Sequence, residues 1–539
     1  MRPSAVLVGV AASAACAQTM NSQIRVAYHG DSGMMVSWNT FDHVQNPSVR
    51  WGLSKSSLNN TASSNVSITY PTSTTYNNHV LISGLQPGTT YFYEPSPLMN
   101  SDSAKIFNFT TSRRAGDSTP FSVAVVVDLG TMGSKGLTTT AGVGVADTNV
   151  LRPGEQNTID SLTSSLANFD FLWHPGDIAY ADYWLKEEIQ KFLPNTTIAG
   201  GIAVYESILN EFYDEMMSIS ASKAYMVGPG NHEANCDNGG TTDKAHNITY
   251  DSSICMPGQT NFTGYKNHFR MPSAPSGGTG NFWYSFDHGM VHFIQLDTET
   301  DLGHGFIGPD EVGGSESINV DPVNATMNAQ TTWLEADLAA VDRAKTPWVI
   351  VAGHRPWYLS HANASGTICW TCKDVFEPLL IKYNVDLVLS GHAHVYERQA
   401  PLAEGKADPN GLNNPAFPWY ITNGAAGHYD GLDALQSPRQ PYSRFGLDTT
   451  NATYGWSRLT FHNCSHLSHD FVASNNGSVI DSATLFKARN CASSLVNSNG
   501  TNPARPNATA PVTASGCGKT STALAGSVIV LLVSALYAL

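Results

Sequence analysis

The sequence predicts an α+β protein in two folded parts. Residues 22–113 read as a β-sandwich, and residues 119–490 as an α/β region with central β-sheets built from βαβ units flanked by helices. Two patterns predict this. Between Gln23 and Thr110, short strands recur at roughly 8–12-residue intervals with turn signals and no helical period. From Phe121 onward, continuous apolar strands alternate with helical apolar faces, which is the mark of βαβ units and largely parallel sheet. The composition supports a large core: 539 residues, 41% hydrophobic and 10% aromatic, with only 14% charged, exclude a disordered chain and a multi-span membrane protein. A balance of 29 Lys+Arg against 44 Asp+Glu gives −15, which excludes nucleic acid as a partner because no basic face can neutralise phosphates. Protonating all 18 histidines would carry that −15 to +3, so the field of the molecule changes greatly towards acid pH.

In chain order, Gln23-Ile24-Arg25-Val26 alternates polar and apolar residues. Gly33 to Trp38, Val49 to Trp51, His79 to Ile82, Thr90 to Tyr93 and Ile106 to Thr110 follow as further strands. Leu85-Gln86-Pro87-Gly88-Thr89-Thr90-Tyr91 resembles the turn and tyrosine corner of fibronectin type III domains, so the sandwich is expected to be fibronectin III-like. Ser112-Arg113-Arg114-Ala115-Gly116 reads as the linker. Phe121 to Val127 is an apolar strand; Ile159, Leu162 and Leu166 form a helix face before the strand Phe169 to Trp173. Leu334, Leu338 and Val341 precede the strand Trp348 to Ala352, and Val375, Phe376, Leu379 and Tyr383 precede Val385 to Leu389. The last part of this region covers about 415–490.

The two ends stand apart from the fold. Met1-Arg2, an apolar run from Ala5 to Ala15 and the A-x-A site Ala15-Cys16-Ala17 predict a secretory signal over 1–17. Residues 496–514 form a Ser/Thr/Asn/Pro-rich stalk. Residues 515–539 hold small residues, a short polar spacer and the uncharged run Ala523 to Leu539, the pattern of a GPI-anchor signal; a C-terminal transmembrane helix is the alternative. Secretion gives meaning to thirteen N-x-S/T triplets as acceptors of N-linked glycans. It also reduces eight cysteines to six, because Cys16 leaves with the signal and Cys517 with the tail. Cys369-Trp370-Thr371-Cys372 then reads as a small-loop disulfide rather than a zinc or redox pair. Cys236 with Cys255 and Cys464 with Cys491 are the sequence-nearest remaining pairs, and sequence leaves their connectivity open.

Five strand ends carry metal-ligand residue types: Asp128-Leu129-Gly130, Gly176-Asp177-Ile178-Ala179-Tyr180, Gly230-Asn231-His232-Glu233, Gly353-His354 and Gly391-His392-Ala393-His394. Ligands of α/β sheets collect outside the carboxyl ends of the strands, so these loops converge on one point. His392 and His394 share a side if their segment is extended. His174 and His292 adjoin or occupy strands and read as structural; His428 is a candidate for the rim.

Together these five blocks resemble the signature of the purple acid phosphatases, members of the calcineurin-like metallophosphoesterases. The resemblance runs from the sandwich to about Lys487, with Gly391 to Arg398 as its most specific stretch and Val127 where the family usually has Gly. It implies Fe(III) held by Asp128, Tyr180 and His394, a divalent Zn, Mn or Fe ion held by Asn231, His354 and His392, and Asp177 bridging both. The donor chemistry agrees, since tyrosinate and carboxylate suit Fe(III) while imidazole and amide oxygen suit a divalent ion. It further implies His232 as a catalytic group facing the phosphate, with Glu233 as its partner, Asn231 as a substrate contact as well as a ligand, and His361 as either a second substrate-facing histidine or a surface one. The implied function is a secreted or cell-surface acid phosphatase acting on small phosphate monoesters, phytate among them, by metal-hydroxide attack, with membrane contact only through the anchor. The alternatives are a phosphodiesterase or nucleotide pyrophosphatase on the same metal core, and a cell-surface adhesion protein with a vestigial site.

Overall fold

The computed structural model describes residues 21–97, 105–132, 156–184, 200–236, 242–243, 248–249, 255–300, 329–362, 367–427 and 431–489. The expected signal, stalk and anchor, together with His428 and Cys491, lie outside the described residues.

Two large sheets carry the fold. At the centre of a ten-stranded sheet, Phe121–Val125, Phe171–Pro175 and Ala224–Gly228 run parallel. These are short, fully apolar or nearly so, and rich in β-branched and aromatic residues, as strands covered on both faces are. Antiparallel strands Gly455–Phe461, His466–Ala473 and Val479–Phe486 extend it on one side. On the other side, Ser22–Tyr28 joins Ala224–Gly228 in parallel with Val26 opposite Ala224, followed by Met34–Thr40, Tyr76–Ile82 and Ser67–Ile68. The first face of the N-terminal sandwich is therefore continuous with the central sheet of the α/β region, an arrangement the linker at Ser112 did not suggest. Its second face is the four-stranded sheet Asn60–Ser63, Ser48–Gly52, Thr90–Pro95 and Phe107–Thr110. The Tyr91 hydroxyl accepts the Gln86 N–H at 3.0 Å, closing the corner expected from the turn pattern.

The second large sheet has eight strands. Val291–Gln295, Trp348–Ala352, Leu387–Ser390 and Trp419–Asn423 run parallel within it, with Tyr284–His288 and Tyr396–Ala403 antiparallel at their flanks. The sheets meet through aromatic side chains. Phe293 packs edge-on against Phe171 and Trp173, with ring centroids 5.2 and 5.5 Å apart. Trp173 Nε1 donates to Gln295 Oε1 at 2.8 Å, and the Tyr284 hydroxyl donates to the Val227 carbonyl at 2.8 Å. Large fully buried side chains include Trp38, Trp173, Trp283, Trp348, Trp419 and Trp456, so much of the tryptophan content is withdrawn from solvent.

Helices flank the sheets. Gly201–Ser220 buries Tyr205, Ile208, Leu209, Phe212, Tyr213, Met216 and Ile219, one face at helical spacing, and packs on Ser22–Tyr28. Ile159 and Leu162 are buried by the short helix Thr158–Ser164, while Leu166 starts a separate 3₁₀ turn. Leu334 and Leu338 face the core from Ala329–Ala340, and Phe376 and Leu380 from Trp370–Lys382. Among the described residues, no helix is long and apolar enough to cross a membrane. Disulfides join Cys236 to Cys255 and Cys369 to Cys372; Cys464 is also disulfide-bonded.

Candidate metal centre

The five predicted loops do meet, and they come from two sheets. Asp128, Asp177 and Asn231 follow the parallel strands of the ten-stranded sheet, whereas His354, His392 and His394 follow those of the eight-stranded one. The centre therefore lies across the carboxyl edge of a two-layer core. The first two loops are strapped together by backbone bonds, Leu129 N–H to Asp177 O at 3.2 Å and Gly130 N–H to Ile178 O at 3.0 Å.

The backbone is strained where the functional side chains leave it. Asp128, Asp177, Tyr180 and His392 have φ of 60°, 51°, 52° and 67°, the left-handed region that non-glycine residues seldom occupy. Gly230 permits a close approach of another kind: a Cβ there would stand 2.2 Å from Asp177 Oδ1. At Gly391 a Cβ would meet Val127 Cγ1 at 2.2 Å, so the valine that departs from the family pattern fills space beside a glycine across the site.

Two groups of donors face each other. The Tyr180 hydroxyl lies 2.9 Å from Asp128 Oδ1 and 2.9 Å from His394 Nε2. His354 Nε2 lies 3.1 Å from Asn231 Oδ1, and His392 Nδ1 lies 3.0 Å from that same oxygen. Asp177 Oδ2 stands between the groups, 3.2 Å from the Tyr180 hydroxyl and 2.9 Å from His354 Nε2. Donor atoms of Asp177, His354 and His392 all fall within 4.8 Å of one another, a spacing that suits one cation. The seven side chains are buried or nearly so, and carboxylate, phenol, amide and imidazole donors fit the iron and divalent ions expected.

Charge is balanced locally. Burial raises the Asp128 pKa well above the carboxylate range, and the neighbouring Asp177 carboxylate adds to this. Burial acts on Asp177 in the same direction, but His354, His232 and His392 outweigh it and hold that carboxyl well below the usual range.

His232 points into the centre, with Nε2 3.8 Å from Asp177 Oδ2 and its ring 4.4 Å from that of Tyr180. Its Nδ1 is held by Asp182 Oδ2 at 2.6 Å. Burial opposes the charge on His232, yet Asp182 and Asp177 outweigh it and bring the imidazolium pKa up to about 10. Burial raises Asp182 to about 6, so the two form an ion pair at neutral pH. Asp182, not Glu233, is thus the partner of His232. Glu233 turns away and accepts the backbone N–H groups of Asp177, Ile178 and Gly230 at 3.0, 2.7 and 2.8 Å, tying two loops together.

His361 is buried and one carboxylate away from the centre. Its Nε2 lies 3.3 Å from Asp433 Oδ2, which also accepts the His394 N–H at 2.9 Å. It is therefore not a surface histidine. His174 bonds the Tyr225 hydroxyl at 2.8 Å and the Asp177 carbonyl at 3.3 Å, with its pKa driven by burial to about 3; His292 sits between Asp287 and Asp337. Asp182 and Asp433 escaped sequence reasoning. Asp182 had a signal, two residues past Tyr180 and on the same short turn; Asp433, in an irregular segment, had none.

Three family models match the chain: Calcineurin-like phosphoesterase over 123–396, Purple acid Phosphatase, N-terminal domain over 21–111, and Iron/zinc purple acid phosphatase-like protein C over 417–482. Acid phosphatase A of Cryphonectria parasitica is 37% identical over 494 residues, spanning 86% of this chain and 92% of the relative. The chain belongs to the purple acid phosphatases. An acid phosphatase of Aspergillus ficuum is 33% identical, covering 84% of this chain and 85% of its own. The purple acid phosphatase from yellow lupin (Lupinus luteus) seeds superposes with a TM-score of 0.60 at 20% identity, over 87% of this chain and 75% of that one, which is a likeness of fold. Membership of the purple acid phosphatases makes the chain a phosphatase enzyme, and it sets aside the adhesion-protein alternative.

Proposed function

We propose that this purple acid phosphatase hydrolyses phosphate monoesters at a centre of two metal ions. Asp128, Tyr180 and His394 would hold Fe(III), and Asn231, His354 and His392 a divalent ion. The observation that carries this reading is the place of Asp177, whose Oδ2 lies within 3.2 Å of the Tyr180 hydroxyl and 2.9 Å of His354 Nε2, one carboxylate oxygen facing both donor groups. Bound there, the ions supply Lewis-acid polarisation of the phosphoryl oxygens and lower the pKa of the attacking water. The chain's own residues do the rest. His232, charged and aimed inward by Asp182, would stabilise the negative charge on the phosphoryl oxygens or protonate the leaving oxygen. Glu233 keeps the Asp177 and Asn231 loops in register.

The net charge of −15 opposes an anionic substrate at neutral pH and relaxes as histidines protonate, which supports work in acid. Secretion with N-linked glycans and a GPI anchor is the accompanying reading. It is supported by the sequence patterns at 1–17 and 515–539 and by exposed acceptor residues Asn59, Asn65, Asn108 and Asn476. Inositol phosphates are retained as candidate substrates.

Metal analysis with a visible spectrum tests the centre. About two ions per chain and a tyrosinate charge-transfer band are expected. A colourless, metal-free protein from native expression overturns the reading. Turnover of a monoester against a diester of the same leaving group separates phosphatase from phosphodiesterase.

A further inference from the structure

One residue outside the expected ligand set grips His394 at two points. The His394 N–H donates to Asp433 Oδ2 at 2.9 Å, and the His394 carbonyl accepts the Asp433 N–H at 2.9 Å. Two bonds that flank one Cα fix the direction of its Cβ, and here they aim the ring, whose Nε2 lies 2.9 Å from the Tyr180 hydroxyl. The bond to the carboxylate is charge-assisted, the stronger kind.

Asp433 is itself anchored. Its carbonyl accepts the Thr449 N–H at 3.3 Å. The residues after it pair with the segment that follows His354, through Ala362 N–H to the Ala434 carbonyl at 3.0 Å and Gln436 N–H to the Ser360 carbonyl at 2.7 Å. His361 Nε2 approaches the same Asp433 Oδ2 at 3.3 Å. The carboxylate is thus set in place by backbone pairing, although its side chain is 45% exposed. His392 is held in another way. Its N–H donates to Asp128 Oδ2 at 2.8 Å, so its peptide is tied to a residue that is itself an expected ligand.

We propose that Asp433 is a positioning residue for the Fe(III) side of the centre. Its carboxylate and backbone hold His394 so that Nε2 faces Tyr180, and it serves iron retention rather than the divalent ion. This deepens the two-metal reading above and rests on it.

The test compares the full chain with Asp433→Ala and Asp433→Asn. It reads iron retained against increasing citrate, the tyrosinate band, and the zinc Kd of the iron-loaded chain by equilibrium dialysis. Asp433→Ala loses the carboxylate arm of the grip and keeps the backbone arm. It should release iron at roughly tenfold lower citrate, because partners that orient a ligand contribute on that scale, and its tyrosinate band should shift or weaken. The zinc Kd should be unchanged. Asp433→Asn presents an amide oxygen to the same N–H and should restore the band and most of the iron retention. Unchanged iron retention and band in Asp433→Ala overturn the proposal. An equal loss of iron and zinc, the mark of a merely structural residue, overturns it too, as does an Asp433→Asn that behaves like Asp433→Ala. If Asp433→Ala does not fold, Asp433→Leu, which removes the acceptor and keeps the bulk, is read by the same criteria. If the unaltered chain holds no iron and shows no band, the two-metal reading fails and this inference with it. Iron and a band in the unaltered chain confine any failure to the role given to Asp433.

Discussion

His232 Nδ1 lies 2.6 Å from Asp182 Oδ2, and that carboxylate is fully buried. One ring nitrogen is therefore occupied from behind, and the other is presented to the centre. A buried imidazole held by a strong acceptor keeps its orientation, which is what proton transfer requires. Asp182→Asn should lower kcat by roughly 10²-fold or more while metal content and the visible band stay unchanged. Equal kcat in the variant would mean that His232 needs no positioning. Loss of metal would mean that Asp182 acts on the ligands instead.

Gly230 tests how tightly the loops are packed. A Cβ at that position would fall 2.2 Å from Asp177 Oδ1, so Gly230→Ala must displace the carboxylate that faces both donor groups. A shift of about 1 Å in a reacting constellation costs on the order of 10²-fold in rate. Activity, metal retention and melting temperature should fall together in this variant, because the Cβ would also stand 2.4 Å from the Asp177 backbone nitrogen and a lost ion no longer stabilises the fold. Normal metal content would place Asp177 outside the coordination.

Away from the centre, His292 makes stability depend on pH. Burial pulls its pKa down, but hydrogen bonds to Asp287 and Asp337 at 2.7 and 2.9 Å prevail and raise it to about 9. An unfolded histidine titrates near 6.5. The folded pKa is the higher one, so this contribution is fully present below about pH 6.5 and is lost as pH rises through about 9. It is at most about 3 kcal/mol by the size of that shift. The true figure is smaller, because the Asp287 side chain is 41% exposed and solvent screens that bond. Thermal unfolding of His292→Gln against the unaltered chain should show the largest gap near pH 6 and a vanishing one above pH 9. A gap independent of pH would refute the charged bridge.

Much of the centre was legible because its ligands other than Tyr180 sit two to four residues past apolar strands, and both strand and ligand type are local properties. Tyr180 was readable for the same reason, at a fixed spacing from Asp177. What stayed hidden depends on which strands become neighbours. Asp433 meets His394 only because two distant segments return to the same edge. Glu233 was assigned to His232 by adjacency in sequence, whereas its turn points it at three backbone amides. The division into two sheets was equally out of reach, since parallel strands announce their type but not their partners. The helix Gly201–Ser220 had a readable period, from Tyr205 to Ile219, and carried no motif that drew attention to it.

The shared sheet leads to the last expectation. Strand Ser22–Tyr28 lies between Ala224–Gly228 and Met34–Thr40, so the N-terminal sandwich and the α/β region meet inside a sheet and not across a linker. Polar contacts reinforce the seam. The buried Arg25 guanidinium donates to the His268 carbonyl and to Asn39 Oδ1 and Asn77 Oδ1 at 3.0 and 3.1 Å. The Tyr93 hydroxyl donates to the Ala221 carbonyl at 2.7 Å, and Glu206 accepts from Tyr70 and Thr72 at 2.8 and 2.6 Å. Arg25→Met keeps the bulk but removes the Arg25 donor from the His268 carbonyl and Asn39 Oδ1, a cost of roughly 1–3 kcal/mol for each orphaned group. Both regions lie within one compact unit, so calorimetry of the full chain should show a single transition that Arg25→Met moves to lower temperature as a whole. Two resolved transitions, with only the smaller one shifted by the variant, would mean that the sandwich folds on its own and the shared strand is a weak junction.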